Sequence, residues 1–200
     1  MNNIFENAFV SDRRKTELIP LIMEELSVLP SAILNFCFEH GGKIYLPTAN
    51  DTLFFVRNGL EISVSEDGRS STDTSHVYYR KDRDEFVLIY DTMDFLKNGH
   101  PHSVSLHEFF HLIEFTFYRL RPRRSYELLS SRLPRGIPLD WYAALNKHEK
   151  FAVAGEAFCH PEGFVSNDYR THNKLELFQK CPEIFRFFEQ LFINWERGIF

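Results

Sequence analysis

Residues 107 to 111 read His-Glu-Phe-Phe-His, and they sit in a stretch that leaves little alternative to a buried helix. Val104, Leu106, Phe109, Phe110, Leu112, Ile113, Phe115 and Phe117 make the surrounding run apolar on most sides, as in a helix packed into a core. Helical positions i and i+4 share one face, so His107 and His111 can offer imidazole nitrogens to a single metal ion. Glu108 stands beside them, placed to take a proton from a metal-bound water. The spacing is that of the H-E-x-x-H zinc signature. The competing reading is a metal-free histidine pair inside a core helix.

A chain of 200 residues can bury one substantial core, and residues 1–200 are read as a single domain. With 44% hydrophobic and 26% charged residues, a soluble globular protein is expected. The net charge of −5 argues against a general nucleic-acid binder. No basic head with an apolar run opens the chain, and no apolar run approaches a membrane span, so neither a signal peptide nor a membrane partner is expected. Cys37, Cys159 and Cys181 are odd in number and far apart. They read as reduced, packed thiols of a cytoplasmic protein, and a catalytic role for Cys159 is disfavoured.

The element order points to an α+β fold. Residues 1–42 form a helical N-terminal part, 43–92 a small mixed sheet, and 101–200 a helical catalytic part. The first helix is expected within residues 12 to 40, capped by Ser11 or Asp12, with Pro20 interrupting it. Lys43 to Leu46, Thr52 to Val56, Glu61 to Val64, Val77 to Arg80 and Glu85 to Tyr90 read as short strands. Glu66 to Ser75 reads as a polar hairpin loop. The motif helix should start after Pro101 and Ser103 and run to about Tyr118. Further helices are expected over 144–160 and 182–195, closed by Pro161 and opened by Pro182.

Two histidines leave a zinc site incomplete, because a hydrolytic site adds one more protein ligand and keeps a position for water. No third histidine follows His111 closely. The helix over 144–160 carries Glu149 and Glu156, seven apart and so on one face. Burying carboxylates among alanines and phenylalanines is costly unless a cation or donors compensate. Helical spacing alone does not choose between the two glutamates.

This segment resembles the pattern Y-x-A-x-N-x-x-E-x-F-A-V-A-x-E-x-F of the MtfA family of cytoplasmic zinc-dependent peptidases. Tyr142, Asn146, Glu149, Phe151, Ala152, Val153, Ala154, Glu156 and Phe158 match it without a gap. His107 to His111 resembles the family's H-E-F-A-H, Phe86 to Tyr90 its preceding strand, and Pro182-Glu183-Ile184-Phe185 the start of its last helix. The Tyr-to-Glu spacing is shared more distantly by lethal-factor-type catalytic domains. The likeness covers residues 85 to 195. It implies a zincin-like metallopeptidase domain of the gluzincin type, with Zn2+ on His107, His111 and Glu149 and with Glu156 outside the metal's immediate ligands. It also implies that the Tyr142 hydroxyl donates to the oxyanion of the reaction. Three positions depart from the pattern. Lys150 stands for an aromatic, Phe110 for a small residue and so as a group that would narrow the site, and Glu114 for an aspartate. The last leaves open whether Glu114 supports a ligand histidine.

The expected activity is peptide hydrolysis, with Glu108 as general base and a peptide or protein as substrate. By analogy with other H-E-x-x-H enzymes, the strand at 85–91 would border the cleft and accept an extended peptide. The alternative is a zinc-containing module that binds a regulatory protein with weak or no hydrolysis; a retained Glu108 disfavours it. His148 and His160 read as surface or supporting residues. His76, His100 and His102 are not expected to be ligands. Arg119, Arg121, Arg123, Arg124, Arg132 and Arg135 read as solvated charge, or as a basic rim for acidic peptides.

Overall fold

The computed structural model describes residues 8–11, 19–46, 76–80, 85–89, 104–120, 129–134, 139–140, 143–162, 171 and 173–198. The expected strands at 52–56 and 61–64, the loop at 66–75, Tyr142, His100, His102, Arg121, Arg123, Arg124 and Arg135 lie outside the described residues.

In chain order the elements are β1 (Phe9–Ser11), α1 (Ile19–Leu26), α2 (Ser31–Glu39), β2 (Gly42–Leu46), β3 (His76–Arg80) and β4 (Glu85–Ile89). After these come α3 (Val104–Leu120), a 3-10 turn (Leu129–Arg132), α4 (Lys147–Cys159), α5 (Lys174–Lys180) and α6 (Pro182–Glu196). Pro20 lies in the first turn of α1, where its missing N–H would have had no partner in any case; residues 12–18, where the expected first helix and its cap begin, lie outside the described residues. The short strand β1 and the helix α5 were not foreseen. Three residues are too few to show an alternation, and α5 is a seven-residue helix announced only by its cap, Asn173, whose side chain accepts from the Glu176 N–H.

The strands form one sheet in the order β1-β2-β4-β3. β1 and β4 both run parallel to β2, and β3 runs antiparallel to β4, with His76 opposite Ile89 and Arg80 opposite Glu85. This corrects one expectation. β4 is flanked on both sides, so it has no edge to offer a peptide. Among the described residues the edges belong to β1 and β3.

Helix α3 is the hub. It packs against β3 and β4, against α1 and α2, and along α4. Phe109 lies fully buried with its ring edge-on to Phe38 of α2, centroids 5.7 Å apart. Gly41, at φ 89°, lets the chain turn sharply from α2 into β2, in a region that side chains rarely enter. From Phe151 to Phe158 every residue of α4 is buried, which marks it as a core helix. α6 covers the pair with Ile184, Phe188, Leu191 and Trp195 on one stripe.

Candidate metal centre

The motif histidines and the two glutamates meet where α3 and α4 run side by side. His107 lies near Glu156 and Glu149, His111 near Glu149, and Glu114 near His148. Rising numbers on one helix thus meet falling numbers on the other, so the helices are antiparallel. His107, His111 and Glu114 occupy one stripe of α3, at i, i+4 and i+7.

Among the described residues, His107, His111 and Glu149 form a group whose donor atoms all lie within 4.8 Å of one another. Glu149 Oε2 is 3.1 Å from His107 Nε2 and 3.5 Å from His111 Nε2. Ligands about 2.0–2.1 Å from a tetrahedral zinc ion stand about 3.3 Å apart, so both separations match edges of that tetrahedron. Two imidazoles and a carboxylate are also a donor set that zinc accepts. Both histidines are buried, while the Glu149 side chain remains 21% exposed. The cluster is therefore reachable from its carboxylate side.

Glu156 plays a different part from Glu149. Its Oε2 lies 3.3 Å from His107 Nδ1, the nitrogen turned away from Glu149, and its Oε1 lies 3.6 Å from His160 Nε2. A carboxylate on the far nitrogen fixes the tautomer and direction of a metal-binding imidazole. His160 thus stands behind Glu156, outside the group of donors.

The local charge favours a cation. Burial alone would disfavour a charged His107. The hydrogen bonds that a protonated His107 donates to Glu149 and Glu156, with the charges of Glu156 and Glu108, outweigh it and push His107 up to about 10. Burial alone would raise Glu149, but hydrogen bonds from His107 and His111 and their charges hold it well below the usual carboxylate range. Without a metal, a proton on His107 meets a demand for positive charge that a divalent ion would meet in its place.

Two departures from the family pattern have structural answers. Phe110 does not narrow the site. It is fully buried and points into the core, edge-on to Phe151 and Phe188 with centroids 5.9 and 5.8 Å away. A Cβ at Gly155 would run into its ring, so Gly155 on α4 makes the room that Phe110 on α3 fills. Lys150 donates to the Pro134 carbonyl at 2.7 Å.

Glu114 reaches neither motif histidine but turns to His148 and Ser130. It is wholly buried, accepts the Ser130 N–H at Oε1 (2.8 Å) and meets His148 Nδ1 at Oε2 (2.7 Å). Burial would raise its carboxyl, but the donors His148 and Ser130 hold it below the ordinary range. It is therefore the acceptor, and Nδ1–H of His148 donates. Glu114 shares the i, i+4, i+7 stripe of His107 and His111, which turns it toward α4 without naming its partner there. Glu108 is partly buried.

The three cysteines are free; Cys37 and Cys181 are buried. Burial pushes the Cys37 thiol up, which suits packing and not nucleophilic chemistry. Arg132 is exposed, with its guanidinium 5.8 Å from the ring centre of Phe117.

No protein-family model matches the chain, so its likeness to the MtfA family rests on the residues quoted above. No curated protein matches it. Among solved structures it is similar to the Pro-Pro endopeptidase from Paenibacillus alvei, with a TM-score of 0.56 and 14% sequence identity over 95% of this chain and 100% of that one. At that identity the likeness is one of fold. The chain has a mostly helical architecture resembling a zincin-like peptidase fold. Among the described residues no helix is long and apolar enough to cross a membrane.

Proposed function

We propose that this chain is a zinc-dependent metallopeptidase of the gluzincin type. The observation that carries the reading is the group of His107, His111 and Glu149, with Glu149 Oε2 at tetrahedral-edge distances from both imidazoles and Glu108 next in sequence to His107. The endopeptidase named above supports it through its fold.

His107, His111 and Glu149 would hold the ion, and Glu156 would keep His107 turned toward it. Zinc, when bound, lowers the pKa of a coordinated water and polarises a carbonyl oxygen. Glu108 then accepts a proton at its carboxylate and returns it to the departing amine. Tyr142, by resemblance, donates its hydroxyl to the developing oxyanion. An extended peptide would pair with β3, the edge strand on the β4 side among the described residues, since β4 is occupied on both sides.

A peptide library digested by the purified protein, with and without a chelator, tests the proposal by mass spectrometry. Cleavage that stops on chelation and returns with zinc is expected. Glu108→Gln should keep zinc and the fold while cleavage falls by about 10²–10⁴-fold, the usual share of a general base. Wild-type cleavage by that variant would remove Glu108 from the role. Stoichiometric zinc with no cleavage anywhere in the library would favour the protein-binding module instead.

A further inference from the structure

The turn of α4 that bears Glu149 is not held by the core. Lys147 is exposed, and His148, Glu149 and Lys150 are half-buried; continuous burial begins only at Phe151. Polar contacts fix this turn. The Asn146 side chain accepts from the His148 and Glu149 N–H groups, both at 2.9 Å. Lys147 and Lys150 donate to Ser131 Oγ and the Pro134 carbonyl. The innermost contact is Glu114, which joins three elements: α3 through its own backbone, the 3-10 turn through Ser130 N–H, and α4 through His148 Nδ1–H. The His148 ring also lies nearly parallel to Phe115 of α3, at 20° and 6.1 Å between centroids.

We infer that Glu114 and His148 are positioning residues for the metal ligand Glu149: they hold the first turn of α4 on the histidine helix at the distance that lets one carboxylate oxygen meet both imidazoles. The inference rests on the metal reading of His107, His111 and Glu149. A fully buried carboxylate that lost either donor would be left with an uncompensated charge, so the link has little freedom to stretch. His148 is adjacent in sequence to Glu149, so movement of one displaces the other. Ligand sets lose affinity when their supporting contacts are loosened, typically by about 10–100-fold.

The test is zinc affinity by competition with a chromophoric chelator, together with the visible spectrum of the cobalt-substituted protein. His148→Phe keeps a ring against Phe115 and deletes the donor. His148→Asn restores an N–H donor on the same branch of the side chain. The first should weaken zinc about 10–100-fold and shift the cobalt bands, and the second should recover most of both. Wild-type affinity and bands in His148→Phe would overturn the inference, as would equal damage in both variants, which would make the ring the determinant. If His148→Phe does not fold, Glu114→Asp decides. It keeps the charge but shortens the reach by one carbon–carbon bond, about 1.5 Å, and a folded Glu114→Asp with unchanged affinity and bands overturns the inference. Wild-type protein that takes up no zinc would instead sink the metal reading, and the positioning role with it.

Discussion

Two seams run along the contact of α3 with α4, and they are made of opposite materials. One carries Phe110 against Gly155, Phe151 and Phe188. The other carries His107, His111 and Glu114 against Glu156, Glu149 and His148. The apolar seam is non-directional and sets how closely the helices approach, because a ring fits where a Cβ is missing. The polar seam is directional and sets where individual nitrogen and oxygen atoms stand. A helix pair held by the apolar seam alone would have the right spacing and no defined donor geometry. One held by the polar seam alone would bury several charged groups with little compensation. Each seam supplies what the other lacks.

The largest expected effect comes from emptying the polar seam. His107→Ala and His111→Ala should each strip zinc, since two protein ligands rarely hold it tightly. Elemental analysis of the purified variants reads this directly, and full zinc occupancy in both would break the assignment. The apolar seam is untouched by either change, so the metal-free fold should persist by circular dichroism.

Next comes the division of labour between the two glutamates. Glu149 Oε2 faces Nε2 of both histidines, whereas Glu156 faces the far nitrogen of His107. Glu149→Ala should lose zinc under mild chelation, and Glu156→Ala should keep it about 10–100-fold more weakly. Chelator competition at one pH compares them. If Glu156→Ala is the more damaged and Glu149→Ala is near wild type, the roles must be exchanged.

Much of this pair of helices was legible in the sequence, for reasons specific to it. The period of apolar residues around His107 is long, and the motif sits within it, so α3 fell within two residues of its expected end. Glu149 and Glu156 were placed on one face by spacing, although only the family likeness chose between them. The direction of Phe110 was not legible. A side chain inside a metal motif reads as lining the metal site unless its partner is known, and that partner is Gly155 on another helix. The flanked position of β4 was equally hidden, because one of its two partners, β2, is distant in sequence. The Glu114–His148 contact needed both helices at once.

A smaller effect tests the apolar seam. Gly155→Ala puts a methyl group into the ring of Phe110, an overpacking that should cost about 1–3 kcal/mol. Phe110→Ala alone should cost about 3–5 kcal/mol through the cavity it leaves. In the double variant the methyl group enters that cavity, so its cost should be less than the sum of the two single costs. A denaturant-melt cycle on the zinc-free proteins measures the coupling. Additive costs would mean that Phe110 and Gly155 do not meet.

The smallest effect concerns the turn between the seams. Asn146 caps α4 through one side-chain oxygen that accepts two N–H groups, those of His148 and Glu149. Asn146→Ala leaves both donors to water and should cost about 1 kcal/mol of stability. Asn146→Asp keeps an acceptor at the helix N-terminus and should cost less. The comparison becomes informative when the same melts are repeated with zinc. An ion bound through Glu149 would fix the turn from its other side, so the penalty of Asn146→Ala should shift partly from stability to zinc affinity. A penalty that is the same with and without zinc, and an unchanged zinc affinity, would show that the cap holds the helix end and has no bearing on the ligand beside it.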